Sequence, residues 1–194
     1  MGFGIRREIN MPNWCFNSLQ VEGPREKIDE LIEKANHMGD EEEPTPYCMS
    51  FKNFLPYPNG EWDYNWCVDN WGTKWDACDP YLEDGGGQDI LYSFNTAWSP
   101  PTPVVEKMIK MYPELSFKMY YEEPGCDFQG ELEGSNGEIT NDLCESFHPE
   151  CAECCLRDYP SEECSYDEEI CDWLCPNCYI ALNELKDWDE ETNE

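Results

Sequence analysis

The sequence predicts an α+β fold in which helices cover one face of a β-sheet. Apolar and polar residues alternate in several segments, two other segments carry apolar residues at helical spacing, and glycines and prolines separate them. A chain of 194 residues, 40% hydrophobic and 14% aromatic, is long enough to bury a core and to form one or two small domains.

The first predicted strand covers residues 13–22, with Cys15, Leu19 and Val21 on one face. Gly23-Pro24 then opens a helix. Its apolar residues recur at i, i+3, i+4 and i+7: Ile28, Leu31, Ile32 and Ala35. A strand followed by an amphipathic helix is the start expected of a sheet with helices on one face.

The second half repeats this order and closes with a hairpin. The predicted elements are a strand over 90–97, an amphipathic helix over 103–112 and a strictly alternating strand over 115–121. Asn136-Gly137 favours a tight primed turn, so residues 126–133 and 137–143 are predicted to pair around it.

Acidic side chains dominate the composition: 43 Asp and Glu against 12 Lys and Arg give a net charge of −31. A compact chain of this size is roughly 40 Å across, and a DNA duplex of that length carries roughly 24 phosphate charges. The protein is therefore at least as densely anionic as DNA. This argues against nucleic acid and anionic membranes as direct partners and favours a basic groove on another protein.

The chain contains 13 cysteines and no apolar run of the length that a signal peptide or a membrane span needs. We therefore expect a cytoplasmic protein, in a host cytoplasm if a phage encodes it. Paired cysteines in a reducing cytoplasm indicate metal ligands rather than disulfides.

Five blocks between about residues 11 and 133 carry a family resemblance: NWCFNSLQVEG, FLPYP, DNWGTKWDACD, YSFNTAWSPPTPVVEKMIKMYPEL and YYEEPGCDFQGE. Together they resemble the YubB-like ferredoxin-fold proteins of phages and conjugative plasmids. The resemblance implies a ferredoxin-like antiparallel sheet and a mobile-element origin, and it implies no catalytic activity. The cysteine-rich C-terminal segment departs from the family pattern, so the family does not account for it.

These observations divide the chain into three parts. Residues 1–10 form an N-terminal extension, which differs in composition from the rest of the chain and precedes Met11, a candidate natural start. Residues 11–143 form the ferredoxin-like α+β domain. Residues 144–194 form an acidic, cysteine-rich zinc-binding module.

Two CxxC pairs, Cys151/Cys154 and Cys175/Cys178, predict a structural Zn²⁺ site. Each pair directs two thiolates at one tetrahedral ion, and a four-sulfur site leaves no position for water or substrate. The segment between the pairs has too few apolar residues for a core, so the metal is expected to stabilise it by on the order of 10 kcal/mol. The alternative ligands are His148, Cys155, Cys164 and Cys171.

We expect the acidic surface to bind a basic host protein that normally binds nucleic acid, such as a CRISPR or restriction protein, and to inhibit it by mimicking nucleic acid. Carboxylates would take the place of phosphates, and neighbouring tryptophans would anchor the contact. The predicted contact residues are Asp167, Glu168, Glu169, Trp173, Asp187, Trp188, Asp189 and Glu190.

Two alternatives stay open. The protein is a zinc-stabilised adaptor whose acidity is incidental, or it is an enzyme acting on a small molecule or nucleotide. The residues that could gather around one pocket are Asn70, Trp71, Thr73, Trp75, Asn95, Thr96, Trp98, Glu122, Glu123 and Asp127. The structural interpretation of this last group is preferred, because buried tryptophans need partners for their N–H groups and short Asn and Thr side chains supply them in turns. We therefore do not expect catalysis.

Overall fold

The computed structural model describes residues 12–38, 46–157, 159–167 and 172–181, with the backbone alone at 37–38, 46–47 and 167. The predicted extension 1–10 lies outside the described residues. In chain order the helices and strands are β1 (Trp14–Glu22), α1 (Arg25–Ala35), β2 (His37–Met38), β3 (Pro46–Tyr47), α2 (Tyr64–Trp71), β4 (Cys78–Asp84), β5 (Asp89–Ala97), α3 (Thr102–Met111), β6 (Ser116–Glu123), β7 (Phe128–Ser135), β8 (Glu138–Glu145), β9 (Ser165–Asp167) and β10 (Asp172–Leu174).

Six of these strands form one antiparallel sheet in the order β4-β5-β1-β6-β7-β8. The first strand is central, because Leu19 pairs with Tyr92 of β5 on one side and with Met119 of β6 on the other. All three of these side chains are buried. In each of these strands the apolar side chains point to one face of the sheet, and that face is the one that the helices cover.

Three helices cover that face of the sheet. The amphipathic pattern of α1 buries Ile28 and Leu31, and that of α3 buries Met108 and Ile109. From α2 the indole of Trp71 is fully buried and packs edge-on against the ring of Phe51. The predicted fold class is therefore confirmed: an antiparallel ferredoxin-like sheet with helices on one face.

The predicted hairpin around Asn136-Gly137 is present. Asn136 and Gly137 both have positive φ angles, 53° and 77°, as a primed two-residue turn requires. Gly130 and Gly134 lie on the helix-covered face of β7. A Cβ at Gly134 would lie 2.5 Å from Ile109 of α3, and a Cβ at Gly130 would overlap the Tyr121 side chain.

Two elements of the six-stranded sheet and its helical layer, α2 and β4, were not predicted. The helix α2 is delimited by Asp63, whose carboxylate accepts the Trp66 N–H at 2.7 Å, and by Gly72 in the left-handed conformation. Strand β4 has a register shift between Cys78 and Tyr81, which breaks its alternation. The glycine-rich stretch after it, residues 85–87, lies in the loop of the β4–β5 hairpin.

Arg25 of α1 fastens this hairpin to the helical layer. Its guanidinium donates to both carboxylate oxygens of Asp84 at 2.5 and 2.7 Å, and the pairing lowers the pKa of Asp84 to about 2. Within the described residues we find no helix long and apolar enough to cross a membrane.

Candidate functional site

Four cysteine thiols meet in the C-terminal module. The Sγ atoms of Cys151, Cys154, Cys175 and Cys178 all lie within 4.8 Å of one another. Four thiols at this separation could bind a metal ion, and they are the two CxxC pairs of the sequence. The Sγ atoms of Cys154 and Cys175 are 3.9 Å apart. A tetrahedron with Zn–S bonds of ~2.3 Å has sulfur–sulfur edges of about 3.8 Å, so the spacing fits zinc.

The backbone around the first pair turns tightly to bring its thiols together. Cys155 N–H donates to the Cys151 carbonyl at 2.8 Å, and Cys151 N–H donates to the Leu156 carbonyl at 3.0 Å. The second pair follows β10, and residues 176–181 are helical from just after Cys175. A bond of 2.9 Å from Ala152 N–H to the Trp173 carbonyl joins the two halves.

The protonation of these thiols is uneven. Burial raises the pKa of Cys151, but N–H donors of the Cys175, Cys154 and Glu153 backbone outweigh burial and lower it to about 6. The hydrogen bond with Cys175 instead raises the pKa of Cys178 to about 12. The thiolate of Cys151 is thus favoured without a metal, and that of Cys178 is not. A bound cation would stabilise all four thiolates.

The alternative ligands that the structure describes are not members of this four-thiol cluster. His148 directs Nδ1 at the Arg157 carbonyl, 3.2 Å away, and Cys164 directs its thiol at the Tyr159 carbonyl, 3.7 Å away. Cys155 is exposed, and Cys171 lies outside the described residues.

Among its described residues, the module has a small buried cluster made of Cys151, Leu174 and Cys175, with Tyr159 and Cys178 partly buried against them. Phe147 is also buried, outside this cluster. The module rests on the sheet through polar contacts, including a bond of 3.1 Å from His148 N–H to Gln129 Oε1. A module with so few apolar contacts needs a metal or a partner to hold its shape.

The face of the sheet opposite the helices carries the polar side chains of the alternating strands, and we call it the open face. It is defined by Phe16, Ser18 and Gln20 of β1 and the side chains level with them on the other strands. One row across it consists of Tyr81, Ser93, Ser18, Tyr120, Glu131 and Leu143. The next row consists of Cys78, Asn95, Phe16, Glu122, Gln129 and Glu145.

The open face is strongly acidic. By strand register its eight carboxylates are Glu22, Glu83, Asp89, Glu122, Glu131, Glu133, Glu138 and Glu145. Among the strand residues described, Lys118 is the one cation on this face, and it pairs with Glu133 at 2.8 Å and Glu131 at 3.3 Å. Acid therefore predominates on the open face even after this pairing.

The helical layer holds most of the described cations. Arg25, Lys27 and Lys34 lie on α1, and Lys107 and Lys110 lie on α3. Lys27 pairs with Glu30 at 2.8 Å, so cations and acids alternate on this side. Negative side chains therefore predominate on the open face, whereas the helical side carries both signs of charge. The linear sequence does not reveal this difference.

Glu122 connects the module to the open face. Its Oε2 accepts a hydrogen bond from the Tyr120 hydroxyl at 2.9 Å and pairs with Arg157 at 3.1 Å. Burial and this hydrogen bond raise the pKa of Tyr120 to about 12, so the phenol stays protonated and donates.

The structure tests little of the predicted contact surface. Glu168, Glu169, Asp187, Trp188, Asp189 and Glu190 lie outside the described residues, and Asp167 is described by its backbone alone, in β9. Trp173 is half-buried in β10, with its ring 5.6 Å from that of Tyr166. The sequence analysis did not predict the acidic open face, although several of the polar positions in the alternating strands are acidic residues.

The group considered for an enzyme pocket comes together only in part: Asn95 and Glu122 line one cavity on the open face, and Glu123 does not. Glu122 and Glu123 are neighbours on β6 and face opposite sides of the sheet, so their carboxylates do not converge. Trp71 Nε1 donates to the Leu55 carbonyl at 2.8 Å, and the Thr73 hydroxyl donates to the Ala97 carbonyl at 3.0 Å. These two side chains have the structural role that the sequence favoured.

Comparison with known proteins decides the family. The model of the ferredoxin-like domain in Api92-like proteins matches residues 70–170, which is more than half of the chain. The chain belongs to this family. The Api92-like match includes Cys151 and Cys154 and ends before Cys175 and Cys178.

A solved Api92 structure supports the same fold. The chain is similar to the crystal structure of protein api92 from Yersinia pseudotuberculosis, with a TM-score of 0.56 over 71% of this chain and 99% of that chain. At 8% identity this similarity shows the fold alone. No curated protein matches the sequence. The ferredoxin-like part of the resemblance is thus confirmed, and the family found is Api92-like.

Proposed function

We propose that this protein binds a basic, nucleic-acid-binding host protein through the open face of its sheet, in the place that nucleic acid takes. Its inhibitory target would be a defence protein, of the CRISPR or restriction kind, in the host cytoplasm. The observation that supports this is the charge of the open face: eight carboxylates on six strands, with one lysine among the strand residues described. Lys and Arg in a nucleic-acid channel complement such a face.

The density of charge is of the right order for mimicry. Six strands ~4.8 Å apart make a face about 24 Å wide, and an eight-residue strand is about 27 Å long. A duplex of that length carries roughly 15 phosphates, of which about half face one side. The open face presents about as many carboxylates as such a duplex presents phosphates.

The separation of charge favours an oriented encounter. Because the cations of α1 and α3 lie on the opposite side, the open face is the side that a basic groove attracts. Attraction of this kind raises association rates and falls with salt.

The finer affiliation is also a proposal. The five sequence blocks between about residues 11 and 133 support a YubB-like protein of a phage or conjugative plasmid. We further propose that the metal of the four-cysteine cluster is Zn²⁺ and that its role is structural, because a saturated tetrahedral set has no open position.

A zinc-stabilised adaptor is the second candidate, and one observation favours it. Phe16, Tyr81 and Leu143 are 50%, 65% and 46% exposed on the open face. Exposed apolar side chains of this kind are common in protein interfaces. An adaptor would bind through them, with little dependence on salt.

The proposal predicts that the chain captures a basic protein from host lysate. High salt, or neutral residues in place of open-face carboxylates, should abolish this capture. A tagged full-length chain is used as bait in host lysate at low and at high salt, with captured proteins identified by mass spectrometry. Neutralising Glu22, Glu83, Asp89 and Glu145 to Gln or Asn removes four open-face charges and should weaken capture more than tenfold. Added duplex DNA should compete with the bait.

The matched control removes the same charge from the helical side. Glu26→Gln, Glu33→Gln, Glu61→Gln and Asp69→Asn change three glutamates and one aspartate, all exposed. This variant should keep its partner. A captured protein that is acidic, or that the open-face variant binds as well as the control does, contradicts mimicry, and salt-insensitive capture would favour the adaptor.

A further inference from the structure

A cavity of about 280 Å³ opens on the acidic sheet face where β5, β1 and β6 lie side by side. Its open-face lining consists of Phe16, Ser18, Ser93, Asn95, Tyr120 and Glu122. Aromatic rings and oxygen acceptors therefore surround one depression in the middle of the charged surface.

Small side chains make the floor of the depression. Ser18 pairs with Ser93 of β5 on one side and with Tyr120 of β6 on the other. Opposite side chains on neighbouring strands are ~5 Å apart, and side chains two residues along one strand are ~7 Å apart. Two adjacent serines thus leave room beside the Tyr120 ring and beside Phe16, which is 50% exposed.

The Glu122 carboxylate lies beside this depression and uses one of its two oxygens in the contacts described. Glu122 is level with Phe16, and its Oε2 accepts from the Tyr120 hydroxyl and from Arg157 Nη1. Among the residues that the structure describes, no donor contacts its other oxygen, Oε1. The contact with Arg157 also shows that a guanidinium fits against this carboxylate, at 3.1 Å.

We propose that this cavity binds an arginine side chain of the basic partner. The planar guanidinium stacks on aromatic faces such as those of Phe16 and Tyr120, and its N–H groups donate to Glu122 Oε1 and to the serine hydroxyls. A lysine carries the same charge, but its ammonium group is not planar. It therefore cannot stack on a ring or donate two parallel hydrogen bonds to one carboxylate. The surrounding carboxylates attract any cation, whereas the cavity selects arginine.

This inference rests on the proposed function, because it assumes a basic partner, and it is tested separately from it. The probes are two eight-residue peptides that alternate glycine with arginine or glycine with lysine, titrated into the full-length, zinc-loaded protein by calorimetry. At physiological salt the arginine peptide is expected to bind at least tenfold more tightly.

Two pairs of variants locate the selectivity. Phe16→Ala should reduce the arginine preference to less than threefold, whereas Leu143→Ala, which removes another exposed apolar side chain of the open face, should retain it. Glu122→Gln should likewise reduce the preference, and Glu145→Gln, the same change two strands away in the same row, should not. Circular dichroism confirms that each variant folds.

The outcomes separate the two proposals. Equal affinity for the two peptides, or a preference that survives both Phe16→Ala and Glu122→Gln, overturns the arginine site and leaves the charge-based proposal standing. Free arginine binding as tightly as the peptide overturns it too, since that result describes a small-molecule site. If neither peptide binds even at low salt, both proposals fail.

Discussion

Gly130 is the residue that lets three strands pack closely at one point. It lies on β7, level with Tyr121 of β6 and Cys144 of β8, and the Tyr121 hydroxyl passes over it to donate to the Leu143 carbonyl at 3.2 Å. A Cβ at this position would overlap both the Tyr121 ring and the Leu143 carbonyl. The absent side chain is therefore a requirement of the packing.

We expect Gly130→Ala to lower the free energy of unfolding by about 1–3 kcal/mol, because overpacking displaces neighbours that have nowhere to move. Urea denaturation measures the change. Gly85→Ala is the matched control, since nothing lies within 4 Å of its Cβ position. It should change stability by less than about 0.5 kcal/mol, as open surface positions do. Equal effects of the two substitutions would contradict this account of Gly130.

At the residue scale the sequence predicted the metal cluster well and the open face poorly. Cysteine spacing is local, so Cys151-x2-Cys154 and Cys175-x2-Cys178 indicated their grouping without knowledge of the fold. The acids of the open face come from several different strands. They become neighbours only through strand register, which the sequence does not specify.

Among the elements, the regular ones were predictable and the irregular ones were not. Strand β6 and helix α3 show clean periods of two and of 3.6 residues, so their buried faces were predicted correctly. Helix α2 has eight residues with tryptophans at both the buried and the less buried positions, which blurs its period. Strand β4 carries a register shift next to Pro80, and its alternation is lost there.

On the proposal that the four-cysteine cluster binds Zn²⁺, the C-terminal module is expected to depend on that metal, whereas the sheet is not. The sheet and its helices share a core cluster of 24 buried residues, whereas the cluster in the described part of the module has three. Removing the ion with a chelator should abolish the hydrogen-exchange protection of Ala152 and Tyr179 amides and leave that of β1 and β6 unchanged. Loss of protection in β1 on chelation would contradict the independence of the sheet.

Ligand assignment is tested by the two adjacent cysteines of the first knuckle. Cys154→Ser should lower the zinc content from one ion per chain by more than half, because it removes a member of the four-thiol cluster. Cys155→Ser should retain the ion, since that thiol is exposed and outside the cluster. Zinc is measured by elemental analysis of the purified chains. Equal loss in both variants would require another ligand set.

For the molecule as a whole, a net charge of −31 acts against compactness. Added NaCl should therefore raise the melting temperature between low ionic strength and ~0.5 M, because the Debye length falls below ~10 Å and repulsion between like charges is screened. The variant with neutral residues at Glu22, Glu83, Asp89 and Glu145 should show a smaller rise. A melting temperature that falls with salt would mean that ion pairs such as Arg25–Asp84 outweigh the repulsion.

The central position of β1 has a consequence for synthesis on the ribosome. Trp14 aligns with Ala97, which is made 83 residues later (97 − 14 = 83), and Phe16 aligns with Glu122 later still. At ~5–20 residues per second, Trp14 waits roughly 4–17 s for its partner on β5. During that time the apolar side chains of β1 stand unpaired, and the nascent chain depends on the acids around it to avoid aggregation.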